Sequence, residues 1–345
     1  MDAIGIGDLH LTSSSGSGAW AKYYAGDSDA AILAEAQKAV DYGLERGITR
    51  VFMYGDTCDS PKMSYQAHEA LYKFFSKNSQ CKFYVILGNH ELLSAGSTKH
   101  ALSLFQAFHS ALPNVRIFDQ AATVKIGGAI VRFLPFPDAS FRKDALNVCH
   151  IDVAGSVMDS GIKSKSTIDP KDYVIVAGHI HTAGQVNNCY YSGTMIQTNF
   201  GESEQKYFHH IHFNSVDDYE INLIPTHPDF LLRTLIVNSQ SDTDKAVRQA
   251  QEAKEKIVWR IIVSDGADVD LSDSDLASKL NIVQIKSYKT KQDLQNLASG
   301  AIDYVSVDDI KPEDVFNSIL EAREDIDAEM KEKIKSVRKK VLKIK

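Results

Sequence analysis

The amino-acid sequence predicts an α/β protein, an αββα sandwich followed by a small α+β unit and a C-terminal helical segment. Three observations carry that prediction. Apolar strand-like runs alternate with helix-like stretches as far as Leu87, which implies a sheet with helices on its faces. Residues 186–224 alternate in the manner of antiparallel strands, so a second sheet should pack on the first. After Pro225 and Pro228 the pattern restarts as strand, helix, strand, helix, strand.

Each element follows in order. Residues 3–7 form a short apolar strand, and a Ser/Gly-rich loop with Trp20, Tyr23 and Tyr24 comes after it. Residues 29–46 place Ile32, Ala36, Ala39, Val40 and Leu44 on one helical face. Arg50–Tyr54 is a strand, 64–77 a helix and Lys82–Leu87 a strand. Strands are expected at 129–135, 147–151 and 173–177. In the last third, 231–237 and Ile257–Val263 read as strands around a polar helix at 243–256. A short helix is expected from Ser272, where Ser-x-x-Asp275 resembles a capping box, and a strand at Ile282–Lys286. From Pro312 the chain reads as a charged helix with an apolar stripe. Its residues 313–329 carry seven acidic side chains and one basic, and 331–345 carry eight basic and one acidic. The domains are therefore drawn at 1–227, 228–300 and 301–345.

Composition excludes several classes. With 345 residues, 43% hydrophobic and 24% charged, the chain is of globular type. No apolar run approaches the ~20 residues of a membrane helix. No basic segment followed by an apolar core opens the chain, so a cytoplasmic protein is expected, or one of the host cytoplasm if viral. Cys58, Cys81, Cys149 and Cys189 make no C-x-x-C pair and read as reduced thiols. The net charge of −7 does not advertise a nucleic-acid binder, although an average can hide basic patches.

The chemistry lies in five short motifs: Asp8-Leu9-His10, Gly55-Asp56, Gly88-Asn89-His90-Glu91, His150 and Gly178-His179-Ile180-His181. Each follows an apolar run, which puts it at a strand's C-terminal end, where the ligands of α/β sheets gather. Carboxylate, imidazole and amide oxygen donors suit Mn²⁺, Fe²⁺ or Zn²⁺, and Mg²⁺ is a further candidate. The absence of thiolates argues against a structural zinc site. D-x-H and H-x-H put two side chains on one side of an extended segment. One shared carboxylate can hold two cations about 3.5–4 Å apart, and Asp56 is the candidate for that bridge. Two such ions acidify water and neutralise phosphoryl oxygens, which serves phosphate-ester hydrolysis. His90, beside Asn89, is the candidate to protonate the leaving group. Each histidine alone would more simply be a core or surface residue; five motifs in order would not.

This motif set resembles the calcineurin-like metallophosphoesterases. Carried over, the resemblance implies one metal on Asp8, His10, Asp56 and His181, and another on Asp56, Asn89, His150 and His179. A narrower resemblance is to the SbcD-type nuclease subunits of the SbcCD double-strand-break repair complex. It rests on Gly55-Asp56-Thr57-Cys58-Asp59, on Tyr191-Ser192-Gly193-Thr194 through Phe200-Gly201-Glu202, and on the capping-like unit and terminal helical segment. The chain's length is closer to the bacteriophage members of that group, and GNHE replaces the commoner GNHD. The resemblance implies a DNA nuclease with 3′–5′ exonuclease and endonuclease activity and two divalent ions, Mn²⁺ first. It also implies DNA as partner, an SbcC-like coiled-coil ATPase on the C-terminal segment, and a homodimer through helices near 64–77 or 99–111.

Several features have a plainer reading. Asp59 either orients a metal-binding histidine or is an ordinary turn residue. Trp20, Tyr23 and Tyr24 are read as packing under their loop rather than stacking on a base. Phe208-His209-His210-Ile211-His212 is read as a strand with its histidines on opposite faces, not a metal cluster. The apolar stripe of the last helix favours docking on a partner over pure electrostatic DNA binding. The alternative functions are a phosphoesterase acting on a small phosphodiester or phosphoprotein, and a non-catalytic scaffold.

Overall fold

The computed structural model describes residues 1–11, 28–94, 97–158, 161–202, 204–252, 256–264 and 281–288. The loop at 12–25, the helix expected from Ser272 and the C-terminal helical segment lie outside the described residues. Met1–Ser299 and Gly300–Lys345 separate as two compact units, and all described elements belong to the first.

In chain order these are β1 (Asp2–Ile6), α1 (Ser28–Leu44), β2 (Arg50–Met53), α2 (Tyr65–Lys77), β3 (Lys82–Ile86), α3 (Ser103–Ala107), β4 (Val115–Phe118) and β5 (Ala122–Ile126). Then come β6 (Ala129–Leu134), β7 (Leu146–His150), β8 (Val174–Gly178), β9 (Gly184–Val186) and β10 (Cys189–Tyr191). The chain continues with β11 (Tyr207–Ser215), β12 (Asp218–Pro225), β13 (Phe230–Val237), α4 (Gln240–Glu252), β14 (Lys256–Ser264) and β15 (Asn281–Tyr288). The expected strands and the two long helices are all present. The sequence reading leaves 112–128 without an element, and β4 and β5 fill that stretch. No described helix is long and apolar enough to cross a membrane.

The strands form two six-stranded sheets, ordered β12-β11-β1-β2-β3-β4 and β5-β6-β7-β8-β10-β9. Within the first, β1 to β4 run parallel; within the second, β6, β7, β8 and β10 do. Alternation along each strand builds the layers. Ala3, Phe52, Tyr54 and Ile86 point between the sheets and meet Val131, Phe133, Val148 and Val176. Phe133 stacks on Phe118 at 4.3 Å between ring centroids. Ile4, Ile6, Val51, Met53, Phe83 and Val85 point the other way, onto the helical layer. Helix α1 covers them with Ile32, Ala36 and Val40, and α2 with Leu71, Phe74 and Phe75. Ser64 caps α2, its hydroxyl accepting the Ala67 amide at 3.0 Å. Of the two six-stranded sheets, only the first is covered by helices among the described residues. Loop side chains Phe141, Met158, Ile168 and Tyr173 cover the outer face of the second.

The third sheet, β13-β14-β15, is parallel, with α4 as the crossover between its first two strands. Leu232 packs with Val258 and Phe200, which joins this sheet to the loop after β10. Residues 226–229, which lead into β13, are gripped by α1. Glu35 accepts the His227 amide at 3.1 Å, and Lys38 donates to the His227 carbonyl at 2.7 Å.

Candidate functional site

The C-terminal ends of the parallel strands of both sheets converge on one place. Asp8 and His10 follow β1, Asp56 follows β2, Asn89 and His90 follow β3, His150 ends β7, and His179 and His181 follow β8. All eight residues of the five motifs meet there.

The first two loops are zipped together. The amides of Leu9 and His10 donate to the Asp56 carbonyl at 3.1 and 2.8 Å, and the Leu11 amide to the Thr57 carbonyl. His10, Asp56 and His179 all have positive φ, at 50°, 45° and 87°. That conformation is costly for residues with a Cβ and clusters at functional sites. Backbones approach so closely here that a Cβ on Gly88 would lie 2.1 Å from Asp56 Oδ1. One on Gly178 would lie 2.6 Å from the Tyr54 carbonyl. The glycines of GNHE and GHxH are therefore spacing residues.

The side chains fall into two touching groups. In one, His10 Nε2 and His181 Nε2 are 3.0 Å apart, with Asp8 close enough for all three to share an ion. In the other, Asp56, His150 and His179 converge. His150 Nδ1 donates to the Tyr54 carbonyl at 2.8 Å, because a carbonyl can only accept. Its Nε2 then faces Asn89 Oδ1 at 3.0 Å and Asp56 Oδ2 at 3.1 Å. His179 Nδ1 is 3.0 Å from the same Asn89 oxygen. Asp56 Oδ2 is also 3.9 Å from His10 Nε2, so this carboxylate stands between the groups. A third grouping of His10, Asp56 and His90 is also tight enough for an ion.

Lone pairs directed at one point repel unless a cation or protons lie between them. Where no cation is bound, protons would have to take that place. Burial opposes protonation of His150, but the Asp56 and Asp8 carboxylates outweigh it and lift its pKa to about 9. Burial likewise opposes ionisation of Asp56, yet His150, His10 and His90 hold its pKa well below the usual carboxylate range. Burial and the charge of His150 lower the pKa of His179. Asp8 Oδ1 accepts the His179 amide at 2.9 Å, while its buried Oδ2 has no hydrogen-bond partner among the described residues. A buried carboxylate oxygen without a donor fits a divalent cation, and so does the oxygen–imidazole donor set.

Asp59 lies against two histidines of the site. Its Oδ1 is 3.2 Å from His10 Nδ1 and 3.4 Å from His90 Nδ1. Its hydrogen bond to His90, opposed by burial and aided by Asp56, raises the His90 pKa to about 9. The remaining histidines stay apart from the site. His209 is buried on Tyr54 at 3.0 Å, burial lowering its pKa to about 3. His210 meets Tyr42, and His212 meets Asp2. The strand reading of 208–212 therefore holds.

The sequence profile of calcineurin-like phosphoesterases matches residues 1–195. The chain belongs to the calcineurin-like phosphoesterase family. Members of that family bind divalent metals, and the phosphoesterase motifs here form His/Asp clusters able to hold them. The phosphoesterase is also similar to "Exonuclease subunit 1" of Enterobacteria phage T4, with 24% identity over 180 residues. That match covers 46% of this chain and 51% of the phage protein, so the chain spans about half the length of this relative.

Sequence reasoning missed several residues that build the phosphoesterase site. Glu91, the acidic residue of GNHE, has a buried carboxylate that accepts the amides of Asp56, Cys58 and Gly88 at 3.0, 3.0 and 2.7 Å. The Tyr54 carbonyl that fixes the His150 tautomer carries no side-chain signal. Gly193, at φ 75°, brings the chain against the His181 carbonyl, and the Thr194 amide donates to that carbonyl at 3.1 Å. The YSGT segment thus lies directly behind GHxH.

Proposed function

We propose that this protein is a metal-dependent DNA nuclease subunit of the SbcD type, cutting phosphodiesters with 3′–5′ exonuclease and endonuclease activity. The observation that carries the hydrolytic part is the convergence of Asp8 Oδ2, His150 Nε2, Asn89 Oδ1 and Asp56 Oδ2 on positions that suit cations. Asp8, His10, Asp56 and His181 would hold one ion, and Asp56, Asn89, His150 and His179 the other, with Mn²⁺ preferred. Such ions supply acidified water and charge neutralisation at the phosphoryl oxygens. Asp59 would orient His10 and His90. His90, half-exposed at the edge of the site and protonated near neutral pH, would give its proton to the leaving oxygen.

The step to DNA draws on the phage relative, which is named as an exonuclease subunit, and on the YSGT…FGE segment. The domains would be a nuclease domain at 1–227, a DNA-binding capping domain at 228–300 and a segment at 301–345 for an SbcC-like coiled-coil ATPase. A homodimer would use α2 and α3. Exposed Tyr65 and Tyr72 on α2, with Leu104 and Phe108 at α3, support that choice. Activity would be in the host cytoplasm if the source is a phage.

The test is cleavage of linear duplex and single-stranded DNA with Mn²⁺, with and without a coiled-coil ATPase partner. His90→Ala should lose about 10²–10⁴-fold in rate while still binding metal, the range of a general acid. Full activity in that variant removes His90 from its role. Hydrolysis of a small phosphodiester or a phosphoprotein, with DNA left intact, replaces the nuclease reading.

A further inference from the structure

Lys206 lies among residues that face the site from behind, and no phosphate can reach it. Its side chain is 3% exposed, and so is excluded as a substrate contact. Its ammonium pairs with Glu202, 6% exposed, at 2.5 Å, and donates to the backbone carbonyl of His181 at 3.0 Å. Glu202 is fully engaged: it also accepts the Thr198 hydroxyl and the Asn199 amide group, each at 2.6 Å.

A buried ion pair is not by itself evidence of a stabilising role, since an apolar pair of the same volume often serves stability as well. What distinguishes this pair is its third partner. The His181 carbonyl is held from one side by the Thr194 amide and from the other by Lys206. Two donors on one oxygen fix the peptide plane and hence the direction in which the His181 imidazole leaves the loop. That imidazole meets His10 at 3.0 Å.

The same network reaches the third sheet. The Gln197 side-chain amide donates to the Glu202 carbonyl at 2.5 Å, and its oxygen accepts the amide of Leu232 in β13 at 2.8 Å. The Thr234 hydroxyl donates to the Phe200 carbonyl at 2.9 Å. Residues 197–202 are thus bonded to the site on one side and to the sheet on the other.

We propose that Lys206 is a positioning residue for His181, and that Glu202 and Gln197 tie this positioning to the β13-β14-β15 sheet. The proposal rests on the reading of His181 as a metal-holding residue. Partners that orient a metal-binding side chain typically govern affinity by about 10–100-fold. Coupling of this kind is reciprocal, so metal loading must also be felt at β13.

The experiment is a Mn²⁺ titration of the full chain followed by electron paramagnetic resonance, which counts bound ions without any assay of cleavage. The double variant Glu202→Gln/Lys206→Met removes both charges together and leaves no lone buried charge. It should keep a cooperative thermal transition and bind one of two Mn²⁺ ions about 10–100-fold more weakly. Lys206→Arg, which keeps a cationic donor, should restore most of that loss. Glu35→Gln/Lys38→Met, which removes a second Glu–Lys pair, on α1, should bind both ions as the parent does. Should the double variant not fold, Glu202→Gln/Lys206→Gln, which likewise leaves no lone buried charge, is read the same way. Parent-like binding of both ions by a folded variant overturns the positioning role. A parent protein that binds no Mn²⁺ overturns the metal reading instead. For the link to the sheet, metal loading should slow amide exchange across 230–237 in the parent but not in Gln197→Leu. Equal slowing in both overturns the link.

Discussion

Glu91 Oε2 accepts the backbone amide of Asp56 at 3.0 Å and that of Gly88 at 2.7 Å. One carboxylate thereby sets the spacing between the loop that follows β2 and the loop that follows β3. Asp56 returns the link, its Oδ1 accepting the His90 amide at 2.9 Å. The two loops cannot drift apart without breaking bonds in both directions.

Removing that carboxylate should therefore be severe. Glu91→Ala leaves three buried amides without acceptors, and each unsatisfied group costs about 1–3 kcal/mol. A loss of at least about 3 kcal/mol in urea unfolding is expected, together with weaker Mn²⁺ binding. Glu91→Gln keeps one acceptor oxygen and should lie between alanine and the parent. Parent-like stability in Glu91→Ala would remove Glu91 from the frame of the site.

The glycines give a paired test. Gly88→Ala drives a methyl to within 2.1 Å of Asp56 Oδ1 and should abolish metal binding. Gly128, by contrast, has positive φ, 92°, and a Cβ there meets nothing within 4 Å. Gly128→Ala should cost about 1–2 kcal/mol through backbone strain alone and leave metal affinity unchanged. Calorimetry of Mn²⁺ binding beside thermal melting separates the two effects.

Protonation should oppose metal binding. His90 and His150 titrate near 6.5 in an unfolded chain and at about 9 in the folded, metal-free protein. Their pairing therefore stabilises the metal-free fold fully below about pH 6.5, and that contribution is lost as pH rises through about 9. A cation needs the His150 nitrogen unprotonated, so Mn²⁺ affinity should climb over this window and binding should release protons. Melting temperature of metal-free protein against pH, and proton release on adding Mn²⁺, check both signs. An affinity independent of pH from about 6 to 8.5 would contradict the lone-pair picture.

The layer between the sheets should bear on stability alone. Phe133 is stacked on Phe118 and Tyr84 and meets Phe52 edge-on at 5.5 Å. Phe133→Ala should cost about 3–5 kcal/mol in denaturant unfolding. Mn²⁺ stoichiometry should stay as in the parent at temperatures where the variant is folded.

What the sequence made legible was what repeats or clusters. Unbroken apolar runs at Ala3–Ile6 and Val51–Tyr54 placed the first sheet, because each strand is buried on both faces. The five motifs announced themselves by residue type. Val115–Phe118 and Ala122–Ile126 passed unnoticed because each is only four or five residues long and mixes buried with exposed positions. Glu91 and the Tyr54 carbonyl act on backbone groups, which carry no side-chain signature. Lys206 meets His181 from 25 positions away, and only β9, β10 and the loop beyond them bring the two together.

Three residues of the site, His10, Asp56 and His179, are left-handed although none is glycine. A chain chosen for robustness alone would put glycine or asparagine at such positions. Anyone engineering heat resistance by following local backbone preference would be drawn to these three places first. The result would be a sturdier protein with the donors of its centre erased. The weakest local choices in this fold thus mark where durability has been traded for chemistry.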